Sequence, residues 1–218
     1  MALRLNGATS GYVELNAPAV AASNTLTLPN GNGTSGQYLQ TDGSGGLSWQ
    51  TVTDDSGAEW VDGTAQSPSG VSEVLYTGLP TNVREVVVTL DGISWTTGSY
   101  LQFQLGDSSG LVGGSDYLHS YAFLQQAAVV AGGRVGSDAF VVGIWTSASH
   151  SVRGSIRFTN TSGNIWVANG QFSSSLDNTQ IQIAGGVPLS NPLERIAIQN
   201  RAGNNFDAGT VNIHYITT

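Results

Sequence analysis

The side chains that could catalyse a reaction are few and widely spaced. The three histidines, His119, His150 and His214, are far apart along the chain. A nucleophilic triad needs a nucleophile and an orienting acid beside a histidine, and serine and aspartate are too common here for their occurrence to be informative. No His-x-x-x-His pair gives the ligand spacing of a zinc site. The sequence therefore predicts neither a catalytic histidine nor a metal centre.

The acidic residues also give no pattern typical of catalysis. Glycoside hydrolysis needs two carboxyl groups roughly 5–10 Å apart, and five of the 15 acids lie in Asp-Gly or Asp-Ser pairs, which are typical of turns. Glu73, Glu85 and Glu194 lie in predicted strands, where an exposed charged position is the simpler interpretation. The glycine-rich run 110–114 lacks the strand-to-helix context of a phosphate loop. We predict that the protein is not an enzyme and needs no cofactor.

Aromatic side chains are the stronger functional lead. Flat rings stack on the apolar faces of pyranosides, while nearby polar side chains hold the hydroxyls. Trp95 lies in a predicted loop, where a core role is least expected. Trp145 and Trp166 adjoin apolar strand residues, which favours core packing or a subunit contact. The candidate glycan-binding residues are Trp95, Tyr100, Tyr117, His119, Tyr121 and Trp145.

Charge and composition exclude several classes of function. The net charge is −8, and all seven basic residues are arginines. Binding to nucleic-acid phosphates or to anionic membranes depends on basic clusters, which the sequence lacks. No segment approaches the roughly 20 apolar residues of a membrane helix, and no apolar signal region is present. We expect a protein made in a cytoplasm that binds no nucleic acid and does not insert into a membrane.

Residues 70–218 carry a dense pattern of β-strands. In the run Tyr100–Leu105, Leu101, Phe103 and Leu105 are predicted to face inward while Gln102 and Gln104 face outward. About ten such runs follow one another, separated by turn residues and without helical periodicity. This pattern predicts an all-β fold in which a jelly-roll-like β-sandwich forms the C-terminal domain.

Residues 1–52 are different, because they hold only short apolar pairs separated by glycine-rich turns. A few leucines cannot offset the entropy of ordering the small polar residues around them. We therefore predict an extended arm or stalk that completes its core by packing against copies of itself or against another protein. The predicted contact residues are Leu3, Leu5, Val13, Leu15, Leu26, Leu28, Leu47 and Trp49.

Residues 53–69 are predicted to be a linker between the arm and the sandwich. They combine glycine and proline with four carboxylates, those of Asp54, Asp55, Glu59 and Asp62. The carboxylates lack the fixed ligand spacing of a calcium loop. A solvated linker is therefore favoured over a cation site.

The arm sequence GYVELNAPAVAASNTLTLP, followed by GQYLQTDGSGGLSW, resembles the stalk-type repeat of tailed-bacteriophage fibre proteins. The C-terminal part is similar to a domain found at the ends of phage tail-fibre and tail-tip proteins. That likeness rests on Gly78–Pro80, Leu90–Ser94, Gln104–Leu111, Ile165–Gly170 and Phe206–Ile213. The resemblance implies a virion component, a homotrimer with an adhesive outer domain, and it brings no mapped receptor site.

Three functions follow from the resemblance and the composition. The first is a trimeric tail-fibre or tail-tip adhesin, assembled in the host cytoplasm, which binds other virion proteins through its arm. Its sandwich would bind a host surface polysaccharide without catalysis. The second is a capsid decoration or head-fibre protein whose arm binds coat subunits, since the arm is only about 50 residues long. The third is a glycan-degrading tailspike, against which the sparse acids weigh.

Overall fold

A computed structural model of the chain describes residues 3–20, 22–23, 25–52, 58–125, 128–146, 150–175 and 179–217. The chain divides into two compact units, Met1–Asp55 and Ser56–Thr218. All the regular secondary structure in the described residues is β-strand, which confirms the predicted all-β class. Below, the first unit is called the arm and the second the sandwich.

The arm contains two separate antiparallel hairpins. They are formed by β1 (Leu3–Asn6) with β2 (Tyr12–Leu15), and by β3 (Gln37–Thr41) with β4 (Leu47–Thr51). The second hairpin is extended by Thr27, whose N–H donates to the Gly45 carbonyl over 2.7 Å. Gly45 has a φ of 97°, and a Cβ there would lie 2.1 Å from the Thr25 carbonyl oxygen. The turn therefore requires glycine at this position.

The sandwich consists of two antiparallel sheets. The larger sheet has the strand order β11-β10-β15-β14-β13-β7-β17-β5, and the smaller has the order β12-β8-β16-β6 with β9 beside β8. The strands are β5 (Trp60–Asp62), β6 (Glu73–Thr77), β7 (Val83–Trp95), β8 (Ser99–Asp107), β9 (Gly110–Leu111), β10 (Tyr117–Gln125), β11 (Ala128–Ser137), β12 (Phe140–Thr146), β13 (Val152–Ser162), β14 (Ile165–Ser174), β15 (Thr179–Pro188), β16 (Arg195–Asn200) and β17 (Phe206–Thr217).

The core lies between the two sheets. Side chains alternate across each strand, so one face of β14 places Trp166 and Phe172 in the core while the other face meets solvent. Phe103 of the smaller sheet packs against Phe158 and Phe172 of the larger sheet, with ring centroids 6.2 and 5.8 Å apart. These contacts across the interior confirm the predicted β-sandwich.

The predicted linker is in part a strand. Trp60–Asp62 forms β5, the edge of the larger sheet, and pairs with β17. Farther along, Gln66 exchanges two backbone hydrogen bonds of 2.8 Å with Val211. The prediction of a solvated linker is wrong for these residues because β17 presents unpaired backbone groups at its edge, which an extended segment satisfies. Asp54 and Asp55 lie outside the described residues.

Gln102 faces outward from the core as predicted, but its side chain is not open to solvent. It lies on the outer face of the smaller sheet but is buried, with 9% of its surface exposed. Its Nε2 donates to the side-chain oxygen Oε1 of Gln199 over 2.6 Å, and its Oε1 accepts from Arg201 Nη1 over 3.1 Å. Arg201 also forms an ion pair with Asp138 at 3.0 Å. The surrounding polar side chains cover Gln102, which alternation along one strand cannot show.

Candidate functional site

Trp95 is buried, so its prediction as a glycan-binding residue is wrong. The strand β7 continues through Gly92, which has a φ of 66°, and ends at Trp95 instead of turning into a loop before it. The indole is fully buried and stacks on Phe206 with ring centroids 5.5 Å apart. A ring enclosed in the core offers no face to a sugar.

Tyr117 and His119 are buried as well, and the same prediction fails for both. They lie on the inward face of β10 with 0% and 3% of their surface exposed. The Tyr117 hydroxyl accepts from the Leu105 N–H over 2.8 Å, and burial raises the pKa of this phenol. His119 Nε2 accepts from the Val141 N–H over 3.3 Å. Both side chains help to hold the two sheets together.

The remaining predicted aromatics do not form a common exposed platform in the described part of the sandwich. Tyr100 and Tyr121 are both half-buried. The Tyr121 ring packs edge-to-face with Phe123, with ring centroids 5.3 Å apart. The side chain of Trp145 lies outside the described residues. Trp166, for which core packing was favoured, is 2% exposed and belongs to the core.

The outer face of the larger sheet carries rows of uncharged polar side chains. Gln171 of β14 lies opposite Gln182 of β15 and opposite Ser155 of β13. Two shallow cavities of about 430 and 280 Å³ share Gln171 and Gln182, and the larger also includes Asn169. Each amide offers both a donor and an acceptor. This surface, called the amide face below, suits a ligand with many hydroxyl groups.

The arginines beside the amide face are paired with acids. Arg153 Nε lies 2.6 Å from Asp91 Oδ1, and Arg157 Nη1 lies 2.7 Å from Glu85 Oε1. The pairs lie on neighbouring strands, β13 and β7. They neutralise each other locally, so this part of the face favours neither a polyanion nor a polycation.

A second feature lies on the same side of the larger sheet, at the edge formed by β5. Trp60 is 48% exposed, and Asp62, two residues on, projects from the same side of β5. The Asp62 carboxylate lies 2.7 Å from His214 Nδ1 on β17. The sequence analysis missed this group because it assigned Trp60 to a linker. The sequence signal that could have revealed this group is the pair of large apolar residues Trp60 and Val61 in an otherwise polar stretch, which is typical of a short strand.

The first hairpin of the arm has one apolar and one polar face. The register pairs Leu3 with Leu15 and Leu5 with Val13, so all four side chains project from one side. They are between 56% and 66% exposed. On the other side, Arg4 forms an ion pair of 2.8 Å with Glu14. The four residues Leu3, Leu5, Val13 and Leu15 are called the leucine face below.

The second part of the arm uses some of its apolar residues internally. Leu26 and Leu28 are 68% and 69% exposed. Trp49, in contrast, donates from Nε1 to the Gly31 carbonyl over 2.8 Å and packs against Gly33. Leu47 is half-buried. Of the predicted contact residues, Leu47 and Trp49 therefore have roles within the arm.

The described residues include neither a metal-binding cluster nor a membrane-spanning helix. No group of three or more histidine, cysteine, aspartate or glutamate side chains is arranged to hold a metal ion within them. Nor do they include a helix with the length and apolar character needed to cross a bilayer.

Comparison with known proteins gives little guidance. No family model and no curated protein matches the chain. One solved structure, of the infectious bursal disease virus Gx strain, gives an alignment with 11% sequence identity and a TM-score of 0.14. The alignment covers 98% of this chain and 47% of the viral chain, so this chain spans about half the length of that one. A TM-score this low carries no argument about fold or function.

Proposed function

We propose that this protein is a structural component of a bacteriophage virion, a homotrimeric tail-fibre or tail-tip adhesin. The arm joins three copies to one another and to the particle. The sandwich binds a polysaccharide on the host surface without catalysis. The observation that carries this proposal is the leucine face, an apolar surface on a segment whose described residues include no buried side chain.

The arm supports assembly because it is ordered without a core. Within residues 3–20, 22–23 and 25–52, no side chain is buried. A two-stranded hairpin alone is at best marginally stable in water. Full burial of one valine or leucine side chain contributes about 1.5–3 kcal/mol. Covering the four members of the leucine face could therefore contribute about 6–12 kcal/mol per chain, as an upper bound.

The amide face supports a neutral glycan as the ligand of the sandwich. Its side chains can donate to and accept from hydroxyl groups, and its arginines are already ion-paired. Asp91 and Glu85, the acids beside the amide face, are also ion-paired, since they are the partners of those arginines. This arrangement of ion-paired acids is therefore more consistent with a binding surface than with a pair of catalytic carboxyl groups.

Location in the particle tests the proposal. Antibody raised against the sandwich should label the tail of an intact virion. Label on the head would instead favour the decoration protein, whose leucine face would lie against coat subunits. Release of oligosaccharides from host envelope polysaccharide by the purified protein would contradict the non-enzymatic proposal and favour a tailspike.

A four-site variant tests the role of the arm. Replacing Leu3, Leu5, Val13 and Leu15 with serine in the full-length chain should convert a trimer into a monomer. The matched control is Glu14→Gln, which alters the polar face of the same hairpin and should leave the trimer intact. A variant that stays trimeric would show that the leucine face does not hold the assembly together.

A further inference from the structure

The free edge of the larger sheet forms a bay that the amide face does not include. Trp60, Asp62, Val87 and His214 surround a volume of about 260 Å³. The register pairs His214 with both Asp62 and Val87, so the four side chains belong to three adjacent strands. This group is called the edge bay below. Its volume is below the roughly 300–1,000 Å³ of pockets that hold drug-sized ligands, so a single ring suits it.

Trp60 is the unusual member of the bay. Trp95 and Trp166 are 0% and 2% exposed and Trp49 is 36% exposed, while Trp60, at the edge of the larger sheet, is 48% exposed. Tryptophan is enriched among the few residues that contribute most of the binding energy of protein interfaces. The flat indole provides a surface on which the apolar face of a sugar ring can stack.

Asp62 supplies the polar part of the bay. Its side chain is 81% exposed, and its Oδ1 atom is held 2.7 Å from His214 Nδ1. The imidazole fixes the carboxylate without covering it, so Oδ2 can accept hydrogen bonds from hydroxyl groups. A fixed acceptor beside an aromatic face is the arrangement that recognises a ring with one apolar face and a hydroxylated edge.

We propose that the edge bay binds a neutral pyranose unit of a surface polysaccharide, with the sugar face on Trp60 and its hydroxyls on Asp62. This inference rests on the proposed function and names the anchoring subsite within it. An organic cation could also use an indole and a carboxylate. A cation is disfavoured because Oδ1 of Asp62 already lies 2.7 Å from His214 Nδ1, which leaves the other carboxylate oxygen for a ligand.

The rest of the sheet extends the site in one direction. Gln171 on β14 lies four strands from β5, and Gln182 on β15 lies five strands away. At a strand spacing of about 4.8 Å, these amides lie about 19 and 24 Å across the sheet from β5, which carries Trp60 and Asp62. A polysaccharide that crosses the strands can therefore occupy the bay and the amide face together, whereas a single sugar cannot.

The test uses the full-length protein with ¹⁵N-labelled indoles. The Trp60 signal is assigned from the Trp60→Phe variant, and the protein is titrated with neutral hexasaccharides of glucose, galactose, mannose and N-acetylglucosamine. We expect at least one of them to shift this signal saturably. Trp60→Ala should weaken that binding about tenfold, which corresponds to about 1.4 kcal/mol. Asp62→Asn should weaken it about threefold.

Controls separate the outcomes. Leu75→Ala, at an exposed position on the smaller sheet, should bind as the unaltered protein does, and thermal unfolding should show that every variant folds. If the Trp60→Ala variant binds as tightly as the unaltered protein, the edge bay is not the sugar-binding site. That result would not contradict the proposed adhesin function. A response to tetramethylammonium in place of sugars, or no response to any sugar, would also overturn the inference. Absence of the protein from virions would instead overturn the proposed function, whatever the bay binds.

Discussion

Two antiparallel strand pairs with the same alternation of apolar and polar residues have opposite surroundings. In the sandwich, β13 and β14 place Ile156, Phe158 and Phe172 in a core that the smaller sheet covers. In the arm, β1 and β2 place four apolar side chains on one face, and all four are exposed. The local pattern is the same in both. The difference teaches that alternation determines which face is apolar, while the rest of the chain, or another chain, determines what covers it.

The largest expected effect comes from removing a ring from the core that the two sheets of the sandwich cover. Phe103 is fully buried and packs on two aromatic rings of the opposite sheet. Phe103→Ala should lower the free energy of unfolding by about 3–5 kcal/mol, because it removes a buried ring and leaves a cavity. Denaturant unfolding of the full-length protein measures this change. A loss below about 1 kcal/mol would mean that the sheets do not pack as described.

Two aspartates extend the comparison between sandwich and arm. In each, the side-chain carboxylate accepts a hydrogen bond from the backbone N–H two residues later and so stabilises a turn. Asp107 Oδ1 accepts from the Ser109 N–H over 2.8 Å in the sandwich. Asp42 Oδ1 accepts from the Ser44 N–H over 2.7 Å in the arm. Asp107 is fully buried and Asp42 is exposed. The same local motif therefore stands in two different environments.

Asp107 should show the next largest effect. Hydrogen bonds from the Ser109 hydroxyl and N–H lower the pKa of this carboxyl from 3.8 to about 2. A depressed pKa in the folded protein stabilises it above pH 4, and this contribution is lost as the pH falls through 2. Asp107→Asn should therefore cost about 1–2 kcal/mol at pH 7. The difference from the unaltered protein should shrink between pH 4 and pH 2, which unfolding curves at each pH will show.

Asp42 should show the smallest effect. Hydrogen bonds from the Ser44 and Gly46 N–H groups lower its pKa, but the carboxyl is in contact with water. Asp42→Asn should leave the unfolding of the sandwich unchanged and should only loosen the β3–β4 turn. Amide hydrogen exchange at Ser44 and Gly46 measures that loosening. A loss of global stability as large as that of Asp107→Asn would contradict the contrast between the two environments.

The sequence predicted the fold class and the strand faces well. Clean alternation in Tyr100–Leu105 identified the inward residues Leu101, Phe103 and Leu105, all of which are buried. Alternation is a local property, so it can be read from consecutive residues. The amphipathic first hairpin could be anticipated for the same reason, since its apolar pairs and turns are explicit in the sequence.

The candidate site was predicted poorly because exposure depends on residues distant in sequence. Trp95 was expected in a loop, but a bulged strand carries it into the core beside Phe206. Trp60 was expected in a linker, but the edge of β17 orders it in a strand. Neither outcome can be deduced from the neighbouring residues, because each depends on a partner more than 100 positions away along the chain.

The central proposal is that the leucine face of the arm packs against other copies of the chain. Its most direct test is the mass of the full-length protein in solution, measured together with amide hydrogen exchange in β1 and β2. We expect about 68 kDa, three times the chain mass of 22.6 kDa, with slow exchange in both strands because neighbouring copies cover the leucine face. A mass of one chain with the same slow exchange would contradict this account, since the arm would then be stable without any partner.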